Sequence, residues 1–116
     1  MDITVKRVYA PASEDDGFRV LADRLWPRGI SKERAHIDTW AKDVAPSPEL
    51  RTWFAHDPAK WDAFQERYRA ELKANPQPLA DLRDMLHGKK KITLVYGAKD
   101  EEHNQAVVLR KVLLEE

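Results

Sequence analysis

The chain has 116 residues, 42% apolar and 34% charged, a composition that suits one globular domain with a buried core and argues against a disordered or membrane-embedded chain. Twenty Lys and Arg balance twenty Asp and Glu, so no global field draws it to nucleic acid or membrane, and a polyanion would need a local patch. There is no cysteine, which removes disulfides, thiolate ligands and a thiol nucleophile.

Met1–Lys6 lacks the basic-then-apolar pattern of a leader, and no apolar run could span a bilayer, so the expected address is the cytoplasm. Ile3, Thr4, Val5 and Val8 are β-branched and predict a strand from Ile3 to Tyr9. Pro11 to Gly17 is a turn whose Glu14-Asp15-Asp16 run reads as a solvated loop tip. That link is too short for an ordinary parallel crossover, so a hairpin is the local reading. It would lead into a second strand over Phe18–Leu25, apolar enough at its centre to be covered on both faces.

Ser31 can cap a short helical turn over Lys32–Arg34, and Ile37–Ala41 reads as a short strand. Ser47-Pro48-Glu49 is a helix start: a hydroxyl cap, proline at the first helical position, then an acid facing the dipole. Asp57-Pro58 repeats the signal. Beyond it Trp61, Phe64, Tyr68 and Leu72 recur at steps of three and four, an aromatic helix face that reads as core packing. Asn75-Pro76-Gln77-Pro78 breaks that helix, and Leu79, Leu82 and Leu86 mark another that stops at Gly88. Lys89-Lys90-Lys91 is a solvated entrance to Ile92–Tyr96, the most strand-like run in the chain. Gly97 then turns the chain, and Asp100 can cap a last helix carrying Ala106, Leu109, Val112 and Leu113. No repeat or linker is visible, so residues 1–116 are expected to form a single α/β domain, its short sheet mostly parallel or mixed and its helices packed against it.

The stretch around which the chain is organised is 20–32, a buried strand ending in a charged loop punctuated by Pro27 and Gly29. Residues 18–34 hold five basic side chains (Arg19, Arg24, Arg28, Lys32, Arg34) against two acidic ones (Asp23, Glu33). Arg24 and Arg28 offer planar forks of donors suited to phosphate or carboxylate, and Trp26 can stack on a base or ring. Arg28 sits between a proline that fixes its own φ and a glycine that frees its own, a setting that suits a side chain aimed at a ligand. The competing reading is a structural ion-pair network of Asp23 and Arg24, with Trp26 and Pro27 closing the core.

Residues 97–104 form a second constellation, since a strand, a glycine turn and a helix N-terminus can bind an anion through free N–H groups. Asp100, Glu101 and Glu102 can satisfy those donors instead, and the glycine spacing of a P-loop or dinucleotide fingerprint is missing. His103, in a first helical turn, would tend to stay neutral and could serve as a base. His56 is a minor candidate, because the adjacent Asp57 is better explained as a helix cap. Lys42 and Asp43 form a further polar cluster at a segment end. His36, His56, His87 and His103 have no metal-ligand spacing, and no serine stands in a nucleophile elbow, so neither a metal nor a cofactor is expected.

Four stretches carry a resemblance: V-L-A-D-R-L-W-P-R-G-I-S-K-E, W-A-K-D-V-A-P-S-P-E-L-R-T-W-F-A-H-D-P, R-Y-R-A-E-L and L-V-Y-G-A-K-D-E-E-H-N-Q-A-V-V-L. In this order, and over nearly the whole chain, they resemble the YeaO-like branch of the domain-of-unknown-function family 488. D-R-L-W-P-R-G and H-D-P are its most specific parts. The resemblance implies a compact α/β domain of bacterial or archaeal cytoplasm, without an assigned reaction. In the wider family a Cys-His-Arg triplet often begins the last helix. This chain holds Asn104, Gln105 and Ala106 there, so chemistry through that thiol does not carry over. The matching polar residues are Asp23, Arg24, Arg28, Lys42, Asp43, Lys99, Asp100, His103 and Asn104, in loops where an α/β sheet builds its cleft.

The expected function is therefore a small cytosolic, enzyme-like domain that binds a phosphorylated or other anionic ligand. Arg24, Arg28, Lys42, Lys99 and Asn104 are its ligand-binding candidates, and Asp23, Asp43 and His103 its acid/base candidates. Two alternatives stand beside it. A noncatalytic nucleic-acid-binding module needs a broad positive stripe, which zero net charge makes hard to assemble. A protein-interaction domain needs an exposed apolar patch. No membrane partner is expected.

Overall fold

Four strands make one sheet: β1 (Asp2–Arg7), β2 (Phe18–Leu21), β3 (Thr39–Trp40) and β4 (Lys91–Tyr96), in the order β1-β4-β2-β3. The structure is a computed structural model that describes residues 1–115. Every pairing is parallel, with Val5 opposite Leu94, Leu94 opposite Val20, and Val20 opposite Thr39. The α/β expectation holds. The hairpin between the first two strands does not form, because β4 lies between β1 and β2 and pairs with both.

The physical reason lies in the brevity of the strands. Six residues of β1 advance about 20 Å at roughly 3.3 Å per residue. The ten-residue link Val8–Gly17 can return over that distance in extended form, with one 3-10 turn at Glu14–Asp16 and no crossover helix. The link is pinned as it passes β4: Thr93 Oγ1 donates to the Asp16 carbonyl at 2.7 Å. The buried Asp16 carboxylate pairs with Arg19 at 2.6 Å and Lys6 at 3.0 Å. Asp16 is thus an anchor and not a solvated loop tip, and Arg19 is buried away from the basic loop it precedes in sequence.

Among the described residues five helices cover the sheet: α1 (Lys32–Ala35), α2 (Pro48–Phe54), α3 (Trp61–Ala74), α4 (Gln77–Leu86) and α5 (Gln105–Leu114). Ser31 and Ser47 cap α1 and α2 as their sequences predict, each hydroxyl accepting a backbone N–H of the first turn. Glu71 of α3 steadies the second cap by accepting from both Ser47 N and Ser47 Oγ. The last helix differs from expectation. Its cap is Asn104, whose side chain accepts from Ala106 N and Val107 N, whereas Asp100 closes the preceding turn by accepting from Glu102 N and His103 N.

Alternation along the strands divides the core in two. Ile92, Leu94 and Tyr96 join Ile3, Val20 and Ala22 on the face that packs against Phe54, Phe64, Tyr68 and Leu109. Val95 faces the other way, with Val8, Ile30 and Ala35. Phe64, Tyr68 and Leu72 of the aromatic stripe are buried, while Trp61 is half-buried at its end. Among the described residues no helix is long and apolar enough to cross a membrane.

Because all strands are parallel, the loops that follow them collect along one edge of the sheet. The second strand stops at Leu21, short of the predicted Leu25: Ala22 N still donates to Val95 O at 2.9 Å, and Asp23 then leaves the ladder. Leu25 is exposed beyond it.

Candidate functional site

A cleft of about 570 Å³ opens where the segment after β2 faces the start of α5 and the end of α2. Phe54, Phe64, Pro27 and Pro46 give it apolar walls. Its ionisable side chains are Asp23, Arg24, Arg28, Arg51, His56 and Tyr9, so a single carboxylate faces three guanidinium groups and an imidazole.

Asp23 sits at the junction of the elements. Its Oδ2 accepts from Gly97 N at 2.9 Å, its Oδ1 accepts from Gln105 Nε2, and its backbone carbonyl accepts from Trp40 Nε1 at 2.7 Å. Residue 97 has to be glycine for this approach, since a Cβ there would lie 2.9 Å from Asp23 Oδ2. Burial pushes the carboxyl up to about 6, against the opposing pull of the Gly97 N–H, the Arg51 charge, the Gln105 amide and His56. Among the described residues Asp23 forms no ion pair, so the Asp23–Arg24 network that competed with the ligand reading is not what holds this loop.

Arg24 is instead tied to backbone. Its Nε donates to Pro46 O and its Nη2 to Ala45 O, both at 3.0 Å, which docks the loop against the segment before α2. Arg28 is exposed, on a turn whose geometry is fixed from three sides. Tyr9 Oη donates to the Arg28 carbonyl at 2.8 Å, Trp26 Nε1 donates to Ile30 O at 2.8 Å, and Gly29 takes a φ of 74°. Trp26 has its N–H satisfied and its ring edge-on to Trp40, with centroids 5.5 Å apart, so it is wall and not a free stacking platform.

Arg51 and His56 enter from α2 and the turn after it. Leu50 and Phe54 anchor that helix in the core, which leaves the neighbouring Arg51 to the solvent side of the cleft. Ala55 and His56 then both adopt left-handed backbone, with φ of 46° and 57°, a strain of about 1–2 kcal/mol per residue. That reversal turns His56 back over the cleft.

The remaining candidates lie elsewhere. Lys42 stacks over Trp40, 5.2 Å from the ring centroid, and Asp43 borders a smaller hollow beside Tyr68 and Glu71. Lys99 is exposed outside the cleft lining. His103 precedes the cap of α5 and is not in its first turn. Its Nδ1 is 2.9 Å from Asp100 Oδ2, and its ring meets Trp61 edge-on. Asn104 is buried as a helix cap, with Nδ2 donating to Asp100 O, so its side chain is occupied by the fold. Two of the first-turn N–H groups of α5 that could have met an anion, those of Ala106 and Val107, are satisfied by Asn104.

The structure therefore unites Asp23, Arg24 and Arg28, separates them from Lys42, Asp43, Lys99, His103 and Asn104, brings in the minor candidate His56, and adds Arg51 and Gln105. The position of Gln105, second in the stretch where the wider family often has Cys-His-Arg, was the one available pointer to that residue. Arg51 lies within a stretch that carries the resemblance, but nothing in its helical setting marks it as a cleft residue. Among the described residues no three His, Asp or Glu side chains converge as a metal site.

A family model described as the inactive DUF488-N3 subclade matches residues 2–116. Uncharacterized protein YeaO of Escherichia coli (strain K12) is 45% identical over 109 residues, which cover 94% of each chain. Uncharacterized protein Rv3073c of Mycobacterium tuberculosis (strain H37Rv) is 43% identical over 111 residues, 96% of this chain and 92% of its own. Uncharacterized protein Mb3100c of Mycobacterium bovis matches with the same identity and coverage. No solved structure matches the chain at a significant level.

Proposed function

The chain belongs to the DUF488 family, within its inactive N3 subclade, and on that premise we propose that it binds a small oxyanionic ligand, a phosphate or carboxylate, without turning it over. One observation carries this reading: Arg24, Arg28 and Arg51 line one cleft with Asp23 as its sole carboxylate among the described residues. Arg28 and Arg51 form no ion pair or side-chain hydrogen bond among the described residues, so their donor forks are available. The volume falls within the roughly 300–1,000 Å³ of small-molecule sites. The subclade's description and the use of Asn104 as a helix cap both favour binding over catalysis.

The nucleic-acid alternative is weaker. Lys91 opens β4 at the amino edge of the sheet while the arginines lie at the carboxyl edge, so the basic residues are divided between two ends. Thermal denaturation with sulfate, inorganic phosphate and a sugar phosphate, beside oligonucleotides at two salt concentrations, tests the proposal. Stabilisation by the small anions, with little by oligonucleotides, is expected. Salt-sensitive binding that grows with oligonucleotide length and is absent for small anions would replace it with the alternative.

A further inference from the structure

From the pairing of Asp23 with Gln105 inside the arginine cleft, we infer that the site takes its oxyanion together with a proton held on Asp23, so that the net ligand is the conjugate acid. This rests on the anion-binding reading above and specifies how the site accommodates charge.

An oxyanion on Arg28 and Arg51 would share the cleft with the Asp23 carboxylate. Two negative groups in one partly desolvated site disfavour joint ionisation, and the one with a neutral form available takes up a proton from solvent. The groups around Asp23 permit this. Arg51 and His56 face it from α2 and the following turn, Arg24 and Arg28 belong to its own loop, and Tyr9 stands at the start of the segment after β1. α5 contributes neutral Gln105, the segment after β4 contributes Gly97 and Ala98, and α3 contributes Phe64.

Gln105 is the group that reads the protonation state. Its Nε2 donates to the carboxylate, and the same amide turned over presents Oε1 to accept from the protonated acid. Gly97 N goes on donating to the other oxygen in either state. Protonation therefore leaves neither carboxyl oxygen without a partner, whereas a cationic side chain at position 105 would have locked the carboxylate in its charged form. Burial already holds the carboxyl at about 6, within reach of neutral solution.

Sulfate is the suitable probe, because it does not itself titrate in the neutral range. Its affinity is measured by calorimetry at about pH 5.5 and about pH 7.5, and proton uptake is read by repeating the titration in two buffers of different ionisation heat. The parent is expected to bind about sixfold tighter at the lower pH for a coupling of about one pKa unit, with net uptake largest, at about half a proton per sulfate, in a further titration at about pH 6.5. Asp23→Asn, isosteric with the protonated acid, should bind tighter than the parent at about pH 7.5 and lose the pH dependence. An imidazole also ionises near neutrality, so His56→Gln is measured beside it; weaker binding with uptake retained supports Asp23 as the acceptor. Sulfate binding without pH dependence or uptake overturns the inference and leaves the anion reading standing. Uptake that vanishes in His56→Gln overturns it too, by moving the proton to the imidazole. No sulfate binding at either pH overturns both. The parent and His56→Gln titrations decide the matter even if Asp23→Asn folds poorly.

Discussion

Asp23 Oδ2 and Gly97 N meet at 2.9 Å, joining the loop after β2 to the turn after β4 across 74 residues of sequence. The contact explains why both residues stand where they do: the half-buried carboxylate needs a donor, and a residue without Cβ lets the backbone approach so closely. Gly97→Ala would place a methyl 2.9 Å from Oδ2 and 3.6 Å from Pro27 Cβ. Relief requires the Asp23 carboxylate to turn from its Gly97 and Gln105 partners or its loop to move, at a cost of about 1–3 kcal/mol by comparison with overpacked cores. Urea denaturation of the variant should show that loss, together with weakened sulfate binding. An unchanged midpoint would mean that the loop yields freely and that its position is not fixed by this bond.

The same carboxyl gives stability a pH dependence of unusual sign. Burial raises Asp23 from 3.8 to about 6, so between those values the folded state retains a proton that the unfolded chain has released. Its contribution is complete below about 3.8, drains away as pH rises and is gone above about 6. Asp16 behaves oppositely. Burial opposes its ionisation, but the Ser13 N–H, Lys6 and Arg19 hold it below the usual range, and its contribution is lost only as pH falls beneath about 4. Between about pH 4.5 and about pH 7.5, Asp23→Asn should therefore gain on the parent by on the order of 2 kcal/mol. Parallel stability curves for the two proteins would contradict this.

Core truncations should grade with burial along the aromatic stripe. Phe64 is 1% exposed and stacks on Phe54 at 4.2 Å between centroids, so Phe64→Ala is expected to cost about 3–5 kcal/mol. Trp61 is half-buried at the end of the same face, edge-on to His103, and its truncation should cost less. Equal losses measured by denaturant midpoint would show that helical spacing alone predicts their contributions.

Legibility in the sequence followed the range of the interactions. Ser31, Ser47 and Asp57 announced their turns because a cap is satisfied within three residues. The α3 stripe is legible through its period, but periodicity does not say where a helix leaves the core, and Trp61 at its end is only half-buried. The hairpin reading failed because the true neighbour of β1 is supplied by β4, from the far end of the chain, a pairing that link length does not encode. At the site, Asp23, Arg24 and Arg28 lie in one short loop and are legible together. Arg51, His56 and Gln105 reach the same cleft from other elements, and only the fold brings them there. Asn104 shows the converse: a polar residue in a loop after a strand, it serves the backbone of α5.

The three cleft arginines should separate in a paired measurement of stability and binding. Arg24 donates to the carbonyls of Ala45 and Pro46, both buried residues, so Arg24→Ala strands two acceptors and is expected to cost about 1–3 kcal/mol of folding free energy. Arg28 and Arg51 are exposed and hold nothing else in place through their guanidinium groups, so truncating either should change stability by no more than about 0.5 kcal/mol. Each should nonetheless weaken sulfate binding by about 1.5–3 kcal/mol, the contribution of a charge-assisted hydrogen bond. Chemical denaturation and sulfate titration on the same three variants give both numbers. If Arg28→Ala and Arg51→Ala bind sulfate as the parent does, the cleft is not an anion site, and its arginines serve only solubility and the docking of the loop.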